Sequence, residues 1–132
     1  MSDWRCLEGT SRDIKAHLSK FLNKGYELHV GCDSHQYSDY TRLVSVICLR
    51  KGPNGVITFR TVLNEKPSSS IYLKLQREVL KAIEIAQFAG DLGYENITVH
   101  LDINPDDKYI SNKFYKEFVN MVKGCGYKCI TK

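Results

Sequence analysis

Three acidic residues stand where their neighbours could give them chemistry. Asp33 closes the alternating segment Glu27-Leu28-His29-Val30-Gly31-Cys32-Asp33, Asp102 closes Ile97-Thr98-Val99-His100-Leu101-Asp102, and Glu78 falls inside a long helical pattern. In open α/β sheets, ligands gather at the carboxyl ends of strands. Two bare carboxylates placed there together repel, and a bound cation or a shared proton relieves the repulsion. Hard divalent ions with oxygen ligands, Mg²⁺ or Mn²⁺, suit such a pair. Taken singly, each aspartate is as readily a turn former, because Asp33-Ser34 and Asp102-Ile103-Asn104-Pro105 both run towards loops. Their matched positions on two strands carry the catalytic reading.

Glu78 lies seven residues after Ile71 and four before Ala82, at the margin of an apolar helical stripe, whereas Glu84 points to the opposite side. A carboxylate bordering a core is costly unless paired or metal-bound. Lys74 at i−4 and Lys81 at i+3 are available partners. Around Asp33, Ser34 and Gln36 can hydrogen-bond a phosphate or sugar, His35 can bind phosphate or shuttle a proton, and Arg42 and Arg77 can neutralise charge. Tyr37 and Tyr40 can stack on exposed bases. His29 and His100 share strand faces with Asp33 and Asp102; they can orient those carboxylates or be satisfied core residues under a helix, and the second is the expectation. No Gly-x-Ser-x-Gly elbow, P-loop or Gly-x-Gly-x-x-Gly run occurs, which removes the serine-hydrolase and nucleotide-loop readings.

The elements that must position these residues are legible in the periodicity. Thr10-Ser11-Arg12-Asp13 opens a helix whose apolar positions are Ile14, Leu18, Phe21 and Leu22, stopped by Gly25. Strands follow over 27–33, 41–50 and 56–63, the last two joined by the turn-rich Lys51-Gly52-Pro53-Asn54-Gly55. A long helix spans about 69–89, with its stripe at Ile71, Leu75, Val79, Ala82 and Ala86 and its close at Gly90 or Gly93. A fourth strand covers 97–102, a helix runs from Ile110 to Gly124, and a fifth strand occupies 127–131. After the leading helix the order is β-β-β-α-β-α-β, which predicts an α/β fold with a five-stranded mixed sheet in a single domain, 1–132. Right-handed crossovers place the first and fourth strands side by side near the sheet centre.

The segment His29-Val30-Gly31-Cys32-Asp33-Ser34-His35, the element order, Leu75-Gln76-Arg77-Glu78-Val79 and Val99-His100-Leu101-Asp102-Ile103 together resemble the ribonuclease H-like superfamily. More narrowly, they resemble small nucleases typified by bacterial YkuK, over about Leu28 to Lys132. The resemblance implies a metal-dependent nuclease in which Asp33 bridges two divalent ions, Glu78 is the helix-borne ligand and Asp102 the third. Two ions about 3.5–4 Å apart can activate a water and stabilise the leaving oxygen of a phosphodiester. It also implies a fourth acid after the fifth strand, where the related proteins carry Lys-Pro-Asp. This sequence ends at Ile130-Thr131-Lys132, so the expectation is a last helix and acid missing through truncation or in the natural form. Asp106 and Asp107, in their Pro-Asp-Asp-Lys setting, read first as solvated surface residues and second as substitutes.

Composition narrows the remaining choices. The 132 residues are 42% hydrophobic and 26% charged, ordinary for a globular domain and unlike a disordered chain. The longest apolar run, Leu43 to Leu49, contains Ser45 and is too short for a membrane span, and the N-terminus lacks a signal pattern. A cytoplasmic location is the expectation. A net charge of +4 tolerates a polyanionic partner without singling one out. The five cysteines, an odd number without a Cys-x-x-Cys, read as reduced structural thiols. The expected partner is nucleic acid, with a homodimer formed through the exposed fifth strand. Two rival readings keep the fold without catalysis: a module that binds nucleic acid or protein, and a purely structural domain.

Overall fold

The computed structural model describes residues 4–6, 9–11, 13–53, 55–103 and 110–131. Its elements in chain order are β1 (Trp4–Cys6), β2 (Gly9–Ser11), α1 (Ile14–Phe21), β3 (Glu27–Gln36), β4 (Thr41–Lys51), β5 (Gly55–Glu65), α2 (Ile71–Leu92), β6 (Ile97–Leu101), α3 (Ile110–Gly124) and β7 (Lys128–Thr131). They form one mixed sheet in the order β2-β1-β5-β4-β3-β6-β7.

Alternation along β3, β4 and β5 builds an antiparallel meander. Glu27 pairs with Arg50 and Gln36 with Thr41 at the two ends of the first ladder; Thr41 pairs with Glu65 and Lys51 with Gly55 in the second. Successive side chains point to opposite faces. Leu28, Val30, Ile47, Leu49 and Phe59 are therefore buried on one face, while Val44, Val46, Arg60 and Val62 lie half-buried or exposed on the other. The helices gather over the buried face, where α2 inserts Leu75, Val79, Ala82 and Ala86 and α3 inserts Phe118 and Val122.

Helix α2 is the crossover that turns the meander into an α/β sheet. Ser70 caps it, its hydroxyl accepting from the Leu73 N–H at 3.1 Å, and Gly93 ends it at φ 120°, a conformation that a side chain would strain. Ile71, the first residue of the expected stripe, is 45% exposed. The chain then returns as β6, parallel to β3, with Leu28 opposite Ile97 and Gly31 opposite His100. The predicted adjacency of the first and fourth long strands holds.

Two sequence expectations need correction. The sheet has seven strands, not five, and a hairpin of two three-residue strands precedes α1. Segments this short give no readable period, so the added strands had no signal of their own. The hairpin docks through Arg5 opposite Arg60 of β5 and buries Trp4, which meets Ile14 of α1 around a cavity of about 280 Å³. The cap of α1 is Asp13, whose carboxylate accepts from the Ala16 N–H at 3.0 Å.

The β3–β6 seam should dominate stability. Leu28 is fully buried there, so Leu28→Ala should lower the unfolding free energy by about 2–5 kcal/mol in urea titration. Val56→Ala, at a position 56% exposed, should stay within about 0.5 kcal/mol of wild type. Equal losses at the two positions would contradict the placement of the core.

Candidate active site

The parallel register of β3 and β6 fixes the first pair of candidate residues. From Gly31 opposite His100, two further steps along each strand lead to Asp33 and Asp102. Both are exposed, and both line one cavity of about 520 Å³ together with Gly31, Val46, Arg60 and His100. Asp33 is not a strand terminus. Strand β3 continues to Gln36, Asp33 sits opposite Val44, and the turn closes only where the Tyr37 N–H donates to the Tyr40 carbonyl at 2.8 Å. Gly31 forms part of the cavity floor. A Cβ there would stand 3.6 Å from His100, ordinary contact, so the missing side chain adds space without relieving a clash.

Glu78 approaches from the opposite face. It is only 4% exposed; the Ser34 hydroxyl donates to its carboxylate at 2.5 Å and the Lys74 ammonium at 2.9 Å. Burial pushes its pKa above the ordinary carboxylate value, a pull that the Ser34 and Lys74 bonds oppose and the nearby charge of Asp33 reinforces. Glu78 and Asp33 thus sense each other electrostatically although β3 lies between their side chains. Among the described residues, no three His, Cys, Asp or Glu side chains are arranged to hold a metal ion.

The other candidates separate by face and by partner. Ser34 is buried and bound to Glu78. The Gln36 amide accepts from the Ser68 N–H at 3.0 Å and donates to the Ser68 carbonyl at 3.1 Å. Arg77 donates to the Lys66 carbonyl at 2.8 Å and pairs with Glu65 at 2.9 Å. His35 and Arg42 sit opposite each other on the Asp33 side of the sheet, and the buried Nε of Arg42 has no hydrogen-bond partner. Asp106 and Asp107 lie outside the described residues.

His29 and His100 meet at 2.8 Å, Nδ1 to Nε2, on the face away from the helices and not beneath one as expected. Glu27 lies 3.3 Å from His29 Nε2. Which ring donates in the His29–His100 contact follows from the tautomer that each adopts. Arg60 was missed by the sequence reading. It lines the Asp33–Asp102 cavity from β5, two strands away from β3, so only the strand order and register bring it there.

The raised pKa of Glu78 makes a signed prediction. Between the ordinary carboxylate pKa and the raised folded value, the folded state holds more protons, so this group's contribution to stability falls as pH rises through that window. Urea midpoints across the acid range should show wild type losing stability relative to Glu78→Gln over the window, with a constant difference above it. A difference independent of pH would refute the burial-dominated shift.

The comparisons with known proteins agree with this architecture. Residues 10–132 match the ribonuclease H-like family, a stretch that holds Asp33, Glu78 and Asp102. No curated protein and no solved structure gives a significant match. With almost the whole chain covered, and the mixed sheet built around a parallel β3–β6 pair, the chain belongs to the ribonuclease H-like family.

Proposed function

We propose that the protein is a metal-dependent nuclease that hydrolyses phosphodiester bonds in nucleic acid at the Asp33–Asp102 rim. The observation that carries the reading is the shared cavity: two exposed carboxylates on neighbouring parallel strands, with the Arg60 guanidinium and His100 in its wall. The donor chemistry fits Mg²⁺ or Mn²⁺, because Mg²⁺ commonly uses one or two carboxylates together with waters and substrate phosphate oxygens. Asp33 and Asp102 would hold the ion. When bound, it would supply an activated water and charge neutralisation at the phosphate.

The chain's own residues would do the rest. Arg60 and Arg42 carry positive charge on the same face of the sheet and would orient the anionic backbone before attack. Glu78 completes the acidic set from the helix side, where its charge raises the negative potential at Asp33 and its bond to Ser34 fixes β3 against α2. The His29–His100 pair holds the β6 imidazole in one orientation at the cavity wall. The narrower likeness to YkuK-type nucleases belongs to the same proposal. So does a cytoplasmic setting, which suits five cysteines outside any disulfide, one of them the buried Cys32 beside the Ser45 hydroxyl.

A binding module without turnover is the rival reading, favoured by the absence of a three-residue metal group among the described residues. Incubation of RNA, RNA–DNA hybrid and single-stranded DNA with Mg²⁺ or Mn²⁺ separates the two. Wild type should cleave at least one substrate, and Asp33→Asn and Asp102→Asn should each lose at least about 10²-fold. Salt-sensitive binding without metal-dependent cleavage would establish the rival, and equal rates in wild type and Asp33→Asn would falsify the carboxylate assignment.

A homodimer through β7 is also proposed. Among the described residues this strand ends the sheet order and pairs with β6 alone, and it leaves Ile130 45% exposed. Light scattering at moderate concentration should give a dimer mass that falls to the monomer value in Ile130→Lys. A monomer mass for wild type would remove the dimer.

A further inference from the structure

The turn joining β3 to β4 carries an aromatic cluster that the proposed chemistry does not use. Tyr37 and Tyr40 stack with centroids 4.8 Å apart and rings 21° from parallel, and His35 meets Tyr37 edge-on at 4.7 Å. Core packing does not account for them, since the tyrosines are 41% and 37% exposed. A single exposed aromatic ring is ordinary; two exposed rings stacked on each other hold an outer π face towards water in a fixed orientation.

The surface is braced in place. The Tyr37 N–H donates to the Tyr40 carbonyl at 2.8 Å, and the adjacent Gln36 amide is clamped by both hydrogen-bonding groups of the Ser68 backbone. A platform fixed in advance loses little conformational entropy when a ligand stacks on it. Its position gives it a direction. His35 lies two residues beyond Asp33 on the same strand face and opposite Arg42, whose buried Nε lacks an acceptor. An exposed π face beside the Arg42 guanidinium matches the two halves of a nucleotide, a base to stack and a phosphate to meet.

We infer that the Tyr37–Tyr40 platform stacks an unpaired nucleobase while Arg42 meets the adjoining phosphate, so that the protein takes single-stranded nucleic acid, or a single-stranded end, towards Asp33. Bases inside a duplex are already stacked on one another and offer the platform no free face. The inference rests on the nuclease reading for the identity of the rim, but the binding it describes requires no cleavage.

The test uses the full chain without divalent metal, so that turnover is absent. Fluorescence anisotropy at low salt compares three probes of equal length: a labelled oligothymidylate, an abasic strand with the same phosphates, and a blunt duplex. Wild type should bind the oligothymidylate about tenfold or more tighter than the abasic strand, and tighter than the duplex. Tyr37→Ala with Tyr40→Ala should erase the preference for bases, and Tyr37→Phe with Tyr40→Phe should retain it with an unchanged thermal midpoint. Arg42→Ala should weaken the oligothymidylate and abasic complexes by similar factors. Equal affinity for the base-bearing and abasic strands overturns the inference, as does a preference that survives the alanine pair or a failure to bind any probe. A preserved base preference without cleavage on adding Mn²⁺ would instead remove the nuclease reading and leave the platform standing.

Discussion

The parallel pairing of β3 with β6 is the constraint on which the rest of the molecule depends. Leu28, Val30, Ile97 and Val99 are all buried along this seam, and their burial sets its register. A slip of one residue would turn the apolar set of one strand away from the helices and carry its aspartate to the helix side. Asp33 and Asp102 therefore share the helix-distal face because burial of the apolar set forbids a one-residue slip, and the observed register brings them to one rim. The catalytic proposal thus rests on hydrophobic patterning before it rests on any charge.

Charge is distributed across the sheet accordingly. The exposed aspartates keep access to water. Glu78 is buried and is tolerated because Ser34 and Lys74 supply hydrogen bonds and a positive charge. These bonds only partly offset burial, which is why its pKa lies above the ordinary value. Adjacent residues on β3 consequently do different work. Asp33 faces the cavity, whereas Ser34 faces the helix and ties the strand to α2.

Much of this was legible in the chain before the structure. The alternation of β3 to β5, the turn at 51–55, the serine before α2 and the glycine after it are local signals, each confined to a few residues. The adjacency of β3 and β6 needed one global rule, the handedness of crossovers, applied to a correct element order. What stayed hidden depended on partners distant in sequence. Nothing near Gln36 announces Ser68, and nothing near Arg60 announces Asp33 and Asp102. The β1–β2 hairpin escaped for the opposite reason: its strands are too short to display a period.

The registers also explain why positive charge on the helix-free face can bear on the proposed substrate. Arg5 lies opposite Arg60, Arg60 opposite Val46, Val46 opposite Gly31, and Gly31 opposite His100, which places these residues in one row across five strands. Like charges directly opposite on neighbouring strands destabilise a sheet, yet this pair anchors the N-terminal hairpin to β5. An anionic ligand lying against the row would relieve the repulsion and draw the guanidiniums towards the cavity that holds Asp33 and Asp102. The same phosphate would experience repulsion from the two carboxylates unless a divalent cation stood between them. Arginine attraction and carboxylate repulsion would thus act on the same phosphate at one rim, and the divalent cation of the proposed function would offset the second.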